Sequence, residues 1–451
     1  MNNLNHNDII TRLCQAGYPT YLVGGAIRDL FAGFEPADFD ITTLATPEQI
    51  AEVFAGRNVG TFGKTFGVTL VDGIDVATFR YDTYPDGNGA KKCIVQYADN
   101  IHSDLARRDL TINSLALCPI TGDVIDNHGG RKHLQKGILQ FVGNPVDRIN
   151  EDPNRIIRAC RFLSKFEGVF ESNTLNALQV NAHLVGTHVD LERIGIEIKK
   201  ALELPQPSLF FSALHLIGAL QYVFPGLENC VDHEHGKWHK ETVWEHLLLA
   251  GDKVSPRFPL IRLAAFLHDA GKPASFARNS DGTFVGHEVS GSDVVNNWLA
   301  ALKFSNEERA FVVGLVRSHM WGGSDDISPK AVRKLRFKLN ELGVDVHSWL
   351  RLRIADRHAN LIKDDFSLRD IIERARRVGA TGSVIEDAPF TVHALALKGG
   401  DIIKIFKLKP GRIVSHTQKH LLDFVVENGS EFNTVEALTN EAAFFINAYN
   451  S

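Results

Sequence analysis

Hydrophobic positions follow two different periods along the sequence. In roughly the first 120 residues, short apolar runs separated by turn residues predict β-strands. These runs are Tyr21–Val23, Asp40–Thr43, Phe66–Val71 and Ile74–Phe79. The first run leads through Gly24-Gly25 into a predicted helix, Ala26–Leu30. This part of the chain is therefore expected to be mixed α/β.

From about Pro145 onward, apolar residues recur at spacings of three and four, which indicates amphipathic helices. Glu151–Phe166 and Leu191–Leu204 carry this pattern, and it continues to the end of the chain. Prolines between Pro205 and Pro225 indicate a boundary near residue 230. The predicted fold class is α+β, with a mixed sheet in front and helices behind.

The chain is long enough for several hydrophobic cores, since 451 residues correspond to about three domains of ordinary size. The change of pattern and the composition of each part divide it further. We predict a mixed-sheet head over 1–144, a helical neck over 145–230, a histidine-rich helical domain over 231–360 and a helical tail over 361–451.

Composition and charge narrow the class of protein. The chain carries 49 Lys+Arg against 54 Asp+Glu, a net charge of −5, so a nucleic-acid site must be local. A hydrophobic fraction of 44% excludes a disordered chain, and five cysteines without a CxxC pair indicate neither a disulfide framework nor a zinc ribbon. Because no apolar run approaches about 18 residues and no export signal is evident, we expect a cytoplasmic enzyme that does not bind membranes.

A phosphate and metal site is predicted around the first two strands. Gly24-Gly25 ends a strand at a helix start, where bare backbone amides can hold phosphate oxygens. Arg28 lies one turn into that helix and can add a cationic fork. Asp38 and Asp40 place two carboxylates on one side of a strand, which is a cradle for Mg²⁺ ions bridged by a phosphate. Together these features indicate attack of a hydroxyl on phosphorus.

A second charged group follows at Arg107, Arg108 and Asp109. The two arginines can neutralise a triphosphate, while Asp109 can complete the metal cradle or bind a ribose hydroxyl. Asp75, on the predicted strand Ile74–Phe79, competes for the role of third carboxylate. The sequence leaves both alternatives open.

A polar stripe is predicted on the helix that opens at Glu151. Asp152, Arg155, Arg158 and Arg161 fall three residues apart and so lie on one face. A carboxylate can accept a hydrogen bond from the exocyclic amine of cytosine or adenine, while a guanidinium donates to the adjacent ring acceptor. Guanine and uracil present the opposite order of hydrogen-bond donor and acceptor on that edge, so the same pair of side chains would reject them. Asp152 with Arg155 can therefore select C and A without a nucleic-acid template.

These motifs, in this order, resemble those of the class II tRNA nucleotidyltransferase and poly(A) polymerase family. The resemblance rests on Leu22–Asp29, Asp38–Asp40, Arg107–Ser114 and Glu151–Phe162. Ile125–Gly130 resembles the linker motif of that family, although His133 stands where an aspartate is usual. The resemblance extends over most of the chain and implies a polymerase-β-like nucleotidyltransferase head followed by helical domains.

The resemblance also implies a role for each matched residue. Asp38 and Asp40 would hold Mg²⁺, with Asp109 as a third member, and Asp152 and Arg155 would read the base. The residues that would contact the nucleotide are Gly24, Gly25, Arg28, Arg108, Arg158 and Arg161. The implied reaction is attack of the tRNA 3′-hydroxyl on the α-phosphorus of CTP or ATP, with release of pyrophosphate.

The resemblance indicates the type of reaction more specifically than it indicates the product. The segment Gly60–Val68 resembles the glycine-bearing segment of CCA-adding members, whereas bacterial poly(A) polymerases tend to be more arginine-rich there. We therefore expect addition of CCA to tRNA. Poly(A), CC-only and A-only addition are the alternatives.

The chain holds 19 histidines, many of them between residues 231 and 360. Imidazole and carboxylate ligands suit Mg, Mn, Fe or Ni. Their order resembles the ligand set of the HD phosphohydrolase superfamily, which here consists of His246, His268, Asp269, His287, His319 and Asp356. The resemblance implies a divalent-metal site that can attack a phosphoester.

Two other hypotheses remain open from the sequence. The chain can be a metal-dependent phosphohydrolase whose head binds nucleotide only as a regulator, or an RNA-binding module without catalysis. The intact pair Asp38 and Asp40 argues against both, because a head that only binds has no need of two carboxylates.

A basic segment near residue 400 resembles the tail found in many CCA-adding members. It carries Lys404, Lys407, Lys409 and Arg412. A surface that follows phosphates should be basic and sensitive to salt. We therefore predict that this segment contacts the body of the tRNA.

Overall fold

The computed structural model of the chain describes residues 3–36, 39–62, 67–84, 93–236, 239–279, 283–322, 328–362, 367–378 and 391–450. The chain divides into two compact units, Met1–Glu228 and Asn229–Ser451, called here the N-terminal and the C-terminal unit. The finer division into four domains stays a prediction.

The N-terminal unit is built on a sheet of short strands. In chain order the strands are β1 (Thr20–Val23), β2 (Asp40–Thr43), β3 (Val59–Phe62), β4 (Val68–Val71), β5 (Ile74–Thr78), β6 (Arg80–Thr83), β7 (Ile94–Tyr97), β8 (Ala116–Leu117), β9 (Val124–Ile125), β10 (Ile138–Leu139) and β11 (Val169–Phe170). Seven of them form one sheet in the order β3-β4-β5-β2-β1-β8-β9. Strands β2 and β5 pair in parallel, and the other neighbours in this sheet are antiparallel.

Both faces of this sheet are covered, because neighbouring residues of a strand point to opposite sides. Leu22 packs into one core with Ile27 and Phe54. Its neighbour Val23 packs into a second core with Leu105. The sheet therefore holds the ends of β1 and β2 rigidly between two apolar layers.

Helices surround the sheet and continue beyond it to the end of the N-terminal unit. They are α1 (Asn3–Gln15), α2 (Gly25–Phe31), α3 (Pro47–Val53), α4 (Ile101–Ala106), α5 (Gly130–Lys136), α6 (Pro145–Glu151), α7 (Asn154–Phe166), α8 (Ser172–Val180), α9 (Leu184–His188), α10 (Leu191–Leu202), α11 (Ser208–Leu216) and α12 (Leu220–Val223). Local chemistry sets several boundaries. Helix α3, for example, begins with a capping box between Thr46 and Gln49 and with Pro47 in its first turn.

The described part of the C-terminal unit is helical. Its helices are α13 (Val243–Lys253), α14 (Pro259–Leu267), α15 (Lys272–Arg278), α16 (His287–Ala301), α17 (Asn306–Ser318), α18 (Pro329–Glu341), α19 (Val346–Ala359), α20 (Leu368–Arg377), α21 (Gly399–Phe406), α22 (Arg412–Asn428) and α23 (Val435–Asn450). Capping boxes begin α13 at Thr242 and α17 at Ser305. Helices α21, α22 and α23 share a separate apolar core that includes Ile402, Leu421 and Leu438.

The predicted α+β fold class is confirmed, and two local predictions need correction. The helix predicted from Glu151 begins at Asn154, because α6 ends at Glu151 and Asp152 has an extended backbone with φ −149° and ψ 95°. Strand β3 was not predicted, since Gly60 interrupts its apolar pattern. In the predicted strand Phe66–Val71, Phe66 lies outside the described residues, and β4 begins at Val68. Within the described ranges, no helix is long and apolar enough to cross a membrane.

Candidate nucleotide and metal sites

The turn after β1 brings a carboxylate and a guanidinium together. Strand β1 pairs with β2 so that Val23 lies opposite Asp40. Gly24 follows with φ 69°, and a Cβ atom there would lie 2.8 Å from Nη1 of Arg108 and 3.4 Å from Oδ2 of Asp40. A side chain at Gly24 would therefore clash with Arg108, and the positive φ further favours glycine at this position. Asp38 lies outside the described residues.

A buried carboxylate orients the two arginines that follow α4. Asp104 is fully buried and accepts hydrogen bonds from Arg107 at 2.8 Å and from Arg108 at 3.2 Å. The Nε of Arg108 is also buried, and it has no hydrogen-bond partner within the part of the chain that the structure describes. The side chain of Arg108 lies beside Gly24 and Asp40, and its Nε–H has no acceptor among the described residues. A phosphate oxygen is a suitable acceptor for this donor.

A continuous set of hydrogen bonds, called here the arginine network, joins α2 to α7. Nη1 of Arg28 donates to Asn113 Oδ1 at 2.6 Å, and Asn113 Nδ2 donates to Asp109 Oδ1 at 2.8 Å. Nε of Arg158 donates to the other oxygen of Asp109 at 2.9 Å. Burial alone would raise the pKa of Asp109, but Arg158 and these hydrogen bonds hold it well below its usual range. Asp109 is therefore an ionised anchor for arginines.

The arginine network continues to α10 through Glu197. This buried carboxylate lies 3.7 Å from Arg158 and forms a closer ion pair with Arg161. The guanidinium of Arg161 stacks 4.3 Å from the ring centre of Phe162, and that of Arg28 lies 4.9 Å from the same ring. Three nucleotide-contact candidates, Arg28, Arg158 and Arg161, are thus brought together around one aromatic ring.

The two predicted base readers take different side-chain partners. Asp152 receives both arms of Arg193, at 2.9 and 2.7 Å. Arg155 donates to Glu151 at 2.6 Å and to the backbone carbonyl of Arg107 at 3.0 Å. The predicted single stripe needs correction, because Asp152 lies in the break before α7 and not on that helix. Their joint role in base selection stays a prediction.

Asp109 and Asp75, the two candidates for the third carboxylate, lie in different surroundings. Both oxygens of Asp109 are already engaged, one by Arg158 and one by Asn113. Asp75 is exposed on β5 and directly precedes Val76, the parallel partner of Ile41. Residues in register on parallel strands point to the same face, so Asp75 lies beside Asp40. This placement favours Asp75 over Asp109 as a third carboxylate.

In the C-terminal unit, six predicted ligands come together from helices α13, α16 and α19 and from the residues that directly follow α14 and α17. These residues, called here the histidine cluster, are His246, His268, Asp269, His287, His319 and Asp356. His246 Nε2 lies 3.1 Å from Asp356 Oδ1, and His287 Nε2 lies 3.1 Å from Asp269 Oδ1. His268 Nε2 lies 3.4 Å from Asp269 and 3.7 Å from Asp356. The chain therefore concentrates imidazole nitrogens and carboxylate oxygens at one buried point.

The hydrogen bonds of the histidines fix which nitrogen faces the cluster. Nδ1 of His268, His287 and His319 each meets a backbone carbonyl, at 2.9, 2.7 and 2.6 Å. A carbonyl only accepts, so each Nδ1 carries the proton and each Nε2 presents a lone pair in the neutral ring. Nε2 of His287 and His319 are nevertheless only 3.1 Å apart. Two nitrogens at that distance are held either by a proton on one ring or by a shared cation. Burial disfavours a charged His287, but its bond to Asp269 raises the pKa of His287 and so favours the proton. The set of imidazole and carboxylate ligands fits a metal ion.

His246 differs from the other three histidines, because its Nδ1 meets a carboxylate. Glu241 is buried and accepts from His246 at 3.2 Å and from His239 at 2.6 Å. Burial lowers the pKa of His268 to about 3. Burial also disfavours a charged His246, but its bonds to Asp356 and Glu241 outweigh that effect and raise its pKa to about 9.

Further residues of this region were not predicted. His235 Nε2 lies 3.2 Å from Asp269, and Lys272 Nζ lies 2.5 Å from the same oxygen. His235, His239, Glu241 and His246 also form a compact group of potential metal ligands. The HxH spacing of His233 and His235 and the dense histidines before α13 were the available signals.

In the N-terminal unit, the unpredicted residues are Arg193 and Glu197. Both lie on α10 and supply the counter-charges for α7 and the break before it. The available signal was a glutamate between Ile194 and Ile198, on the apolar face of an amphipathic helix.

The basic tail residues lie at the end of α21 and the start of α22. Lys404, Lys407, Lys409 and Arg412 are all exposed. Lys407 ends α21 with a left-handed backbone, φ 53°. Their contact with RNA stays a prediction.

Family models match two parts of the chain. Residues 20–140 match the poly A polymerase head domain. Residues 169–231 match a model described as the probable RNA and SrmB-binding site of polymerase A. The first match contains the Gly24 turn and Asp109, and the second contains Arg193 and Glu197.

The similar proteins include both CCA-adding enzymes and poly(A) polymerases. The CCA-adding enzyme of Ligilactobacillus salivarius is 39% identical over 199 residues, 43% of this chain and 48% of that protein. Poly(A) polymerase I of Salmonella typhi is 40% identical over 172 residues, 35% of this chain and 36% of that protein. The matched part of the chain thus spans about half or less of the length of these relatives.

Solved structures match the chain over nearly its whole length. The crystal structure of the Bacillus stearothermophilus CCA-adding enzyme in complex with CTP has a TM-score of 0.67 and 25% identity, and the match covers 98% of this chain and 96% of that one. The Thermotoga maritima CCA-adding enzyme complexed with tRNA has a TM-score of 0.56 at 18% identity, covering 98% and 96%. The second likeness concerns the fold alone.

Residues 20–140, which hold the glycine turn and several of the clustered arginines, are similar to the head domain of poly A polymerases. The matched parts of the chain, residues 20–140 and 169–231, are similar to the corresponding parts of CCA-adding enzymes and poly(A) polymerases.

Proposed function

We propose that this protein adds or repairs the 3′-terminal CCA of tRNA, using CTP and ATP without a nucleic-acid template. The observation that carries the proposal is the meeting of Asp40, Arg108 and the bare backbone of Gly24 beside the arginine network. In the reaction, a bond forms between the RNA 3′-oxygen and the α-phosphorus, the bond to the β-phosphate breaks, and pyrophosphate leaves.

Each group has a task that its position supports. The amides after Gly24 and the spare donor of Arg108 hold phosphate oxygens. Asp38 and Asp40, joined by Asp75, would hold Mg²⁺, which supplies charge neutralisation at the phosphates when bound. Asp109 does not join this cradle in the proposal, since it holds Arg158 in place. Asp152, oriented by Arg193, and Arg155 read the edge of cytosine or adenine.

Two lines of support favour tRNA CCA addition over poly(A) addition. The structural likeness with 25% identity and nearly complete coverage is to a CCA-adding enzyme bound to CTP. The Gly60–Val68 segment has the glycine-bearing pattern expected of CCA addition, although Gly63–Phe66 lies outside the described residues. A poly(A), CC-only or A-only product is the alternative. The basic tail residues would hold the body of the tRNA.

We test the assignment by the incorporation of labelled CTP and ATP into tRNA that lacks CCA. Asp40→Asn should lower incorporation about a hundredfold or more, because it removes a carboxylate that would hold Mg²⁺ beside the reacting phosphate. Asp147→Asn, an exposed acid on α6, is the matched control. Incorporation at the wild-type rate by Asp40→Asn would contradict the proposal.

We propose a second activity, a metal-dependent phosphohydrolase, for the histidine cluster. The facing Nε2 atoms of His287 and His319 favour it, since they suit Mn, Fe, Ni or Mg. A bound ion would polarise a phosphoester. Asp269→Asn should abolish metal retention and hydrolysis of a 2′,3′-cyclic phosphate, and it should leave nucleotide incorporation unchanged. Retained metal in Asp269→Asn would contradict this second assignment.

A further inference from the structure

We propose that a groove on the N-terminal unit binds a stretch of single-stranded RNA. The groove encloses about 760 Å³ and lies at the ends of α2 and α7, against α5. Its walls include Phe31, Phe34, Phe166, Arg131, Lys132 and Lys165. The proposal rests on the nucleotidyltransferase function proposed above, because it gives the RNA substrate a second place of contact.

Aromatic rings are displayed in the groove instead of being packed away. Phe31 is 41% exposed and Phe34 is 47% exposed. The ring centres of Phe34 and Phe166 lie 6.2 Å apart. Rings of this kind stack on any base, since every base has a π face.

The backbone at the end of α2 explains why the side chain of Phe34 is exposed. The amide of Phe34 donates to Asp29 O at 2.8 Å and that of Gly33 to Leu30 O at 3.2 Å, which is a Schellman motif with a left-handed glycine. A hydrophobic residue after such a glycine ordinarily packs back on the helix, against the position that Asp29 occupies here. Asp29 instead binds Lys165 at 2.8 Å, so the ring of Phe34 has no apolar partner there and turns to the groove.

The groove also carries an excess of positive charge. Arg131, Lys132 and Lys165 line it, against the acid Glu167 among its lining residues. Asp29 pairs with Lys165, so Arg131 and Lys132 supply the excess charge. The guanidinium of Arg131 lies 4.7 Å from the ring centre of Phe31. Cations set among exposed aromatic rings match a chain of alternating phosphates and bases, whereas an apolar peptide would have no use for the charges.

The groove adjoins the arginine network. The guanidinium of Arg28 lies 5.4 Å from the ring centre of Phe166, which lines the groove. A strand of RNA in the groove would therefore lie within one side chain of the residues proposed to contact the nucleotide.

The test measures binding of a labelled single-stranded 12-nucleotide RNA to the full chain by fluorescence anisotropy over a range of salt concentrations. Phe31→Ala with Phe34→Ala should raise the dissociation constant about tenfold or more, because two stacking partners are lost. Arg131→Ala with Lys132→Ala should lower the salt slope by about 1.4, two phosphate contacts at roughly 0.7 each. Phe34→Trp should retain wild-type affinity.

The controls change exposed residues outside the groove. Ile120→Ala, which removes a side chain that is 55% exposed, and Lys253→Ala should leave both affinity and salt slope unchanged. Dissociation constants of both double variants within twofold of wild type, with an unchanged slope, would overturn the proposal. Weakened binding of an RNA hairpin but not of the single strand would overturn it as well.

The failure of this proposal can be told from the failure of the proposed function. Binding needs no catalysis, so it can be measured in Asp40→Asn. Groove-dependent binding by a wild-type protein that incorporates no nucleotide would overturn the proposed function alone. Incorporation by the wild type together with groove-independent binding would overturn the groove alone.

Discussion

The N-terminal unit shares its carboxylates among cations, whereas the C-terminal unit gathers histidines around carboxylates. Several acids of the N-terminal unit each pair with two cations, among them Asp29 with Arg28 and Lys165, Asp104 with Arg107 and Arg108, Glu151 with Arg148 and Arg155, and Glu197 with Arg158 and Arg161. In the histidine cluster, Asp269 instead lies among the Nε2 atoms of histidines, with Lys272 as its one neighbouring Lys or Arg among the described residues.

The difference between the two units indicates the charge of the ligand that each site can bind. A site with more guanidinium donors than carboxylates attracts an anion, such as a triphosphate or an RNA backbone. A buried site of imidazole and carboxylate ligands attracts a cation. The charges of the two sites thus suit an anionic ligand in the N-terminal unit and a cationic ligand in the C-terminal unit.

The largest expected effect concerns the carboxylate shared by Arg158 and Arg161. Glu197→Gln removes the counter-charge of two arginines and should destabilise the packing of α7 on α10 by about 3 kcal/mol. Hydrogen–deuterium exchange should show the amides of both helices opening roughly a hundredfold more often. Glu192→Gln, an exposed acid on the same helix, is the control, and equal exchange in both variants would refute the shared role.

The second prediction concerns the carboxylate behind His246. Glu241→Gln should weaken Mn²⁺ or Ni²⁺ binding by the histidine cluster about 10- to 100-fold, because the buried acid orients the ring and raises its basicity. Calorimetric titration of the metal-free protein measures the change. Glu245→Gln, in the exposed cap of α13, should have no such effect. Equal affinities would show that Glu241 does not position the ligand.

The third prediction concerns base selection. Arg193→Ala should lower the preference for CTP over UTP about tenfold, since the two-armed contact that orients Asp152 is lost. Competition between the two nucleotides in one reaction measures the preference. Lys200→Ala, exposed on the same helix, should leave it unchanged. An unaltered preference in Arg193→Ala would remove Arg193 from base selection.

The smallest expected effect concerns the tail. Lys407→Glu with Lys409→Glu should weaken tRNA binding several-fold and lower its salt slope by about 2. Lys303→Glu, also exposed, is the control. A salt slope equal to that of the wild type would show that Lys407 and Lys409 do not contact the tRNA.

Short-range patterns were sufficient for the elements that carry the sites. The strand before Gly24, the helix of Arg28 and the helix of His246 follow from local periodicity and caps. The six members of the histidine cluster could also be named, because their order resembles the ligand set of the HD phosphohydrolase superfamily. Each of these predictions depends on residues close together in the chain or on one kind of ligand.

Pairing across the fold could not be predicted in the same way. Nothing local to Asp152 indicates that Arg193, 41 positions away, takes both of its oxygens. The pairing depends on how α10 packs against α7, which is a tertiary property. The third carboxylate was ambiguous for a similar reason, because only the parallel register of β2 and β5 places Asp75 beside Asp40.

The most direct test of the account is the sequence of the RNA product. Transcripts that end at the discriminator base, at C and at CC are incubated with CTP, ATP or both, and their 3′ ends are sequenced. We predict completion to CCA from every start, with A added only after CC. A homopolymeric A tail, or no addition to any transcript, would contradict the account.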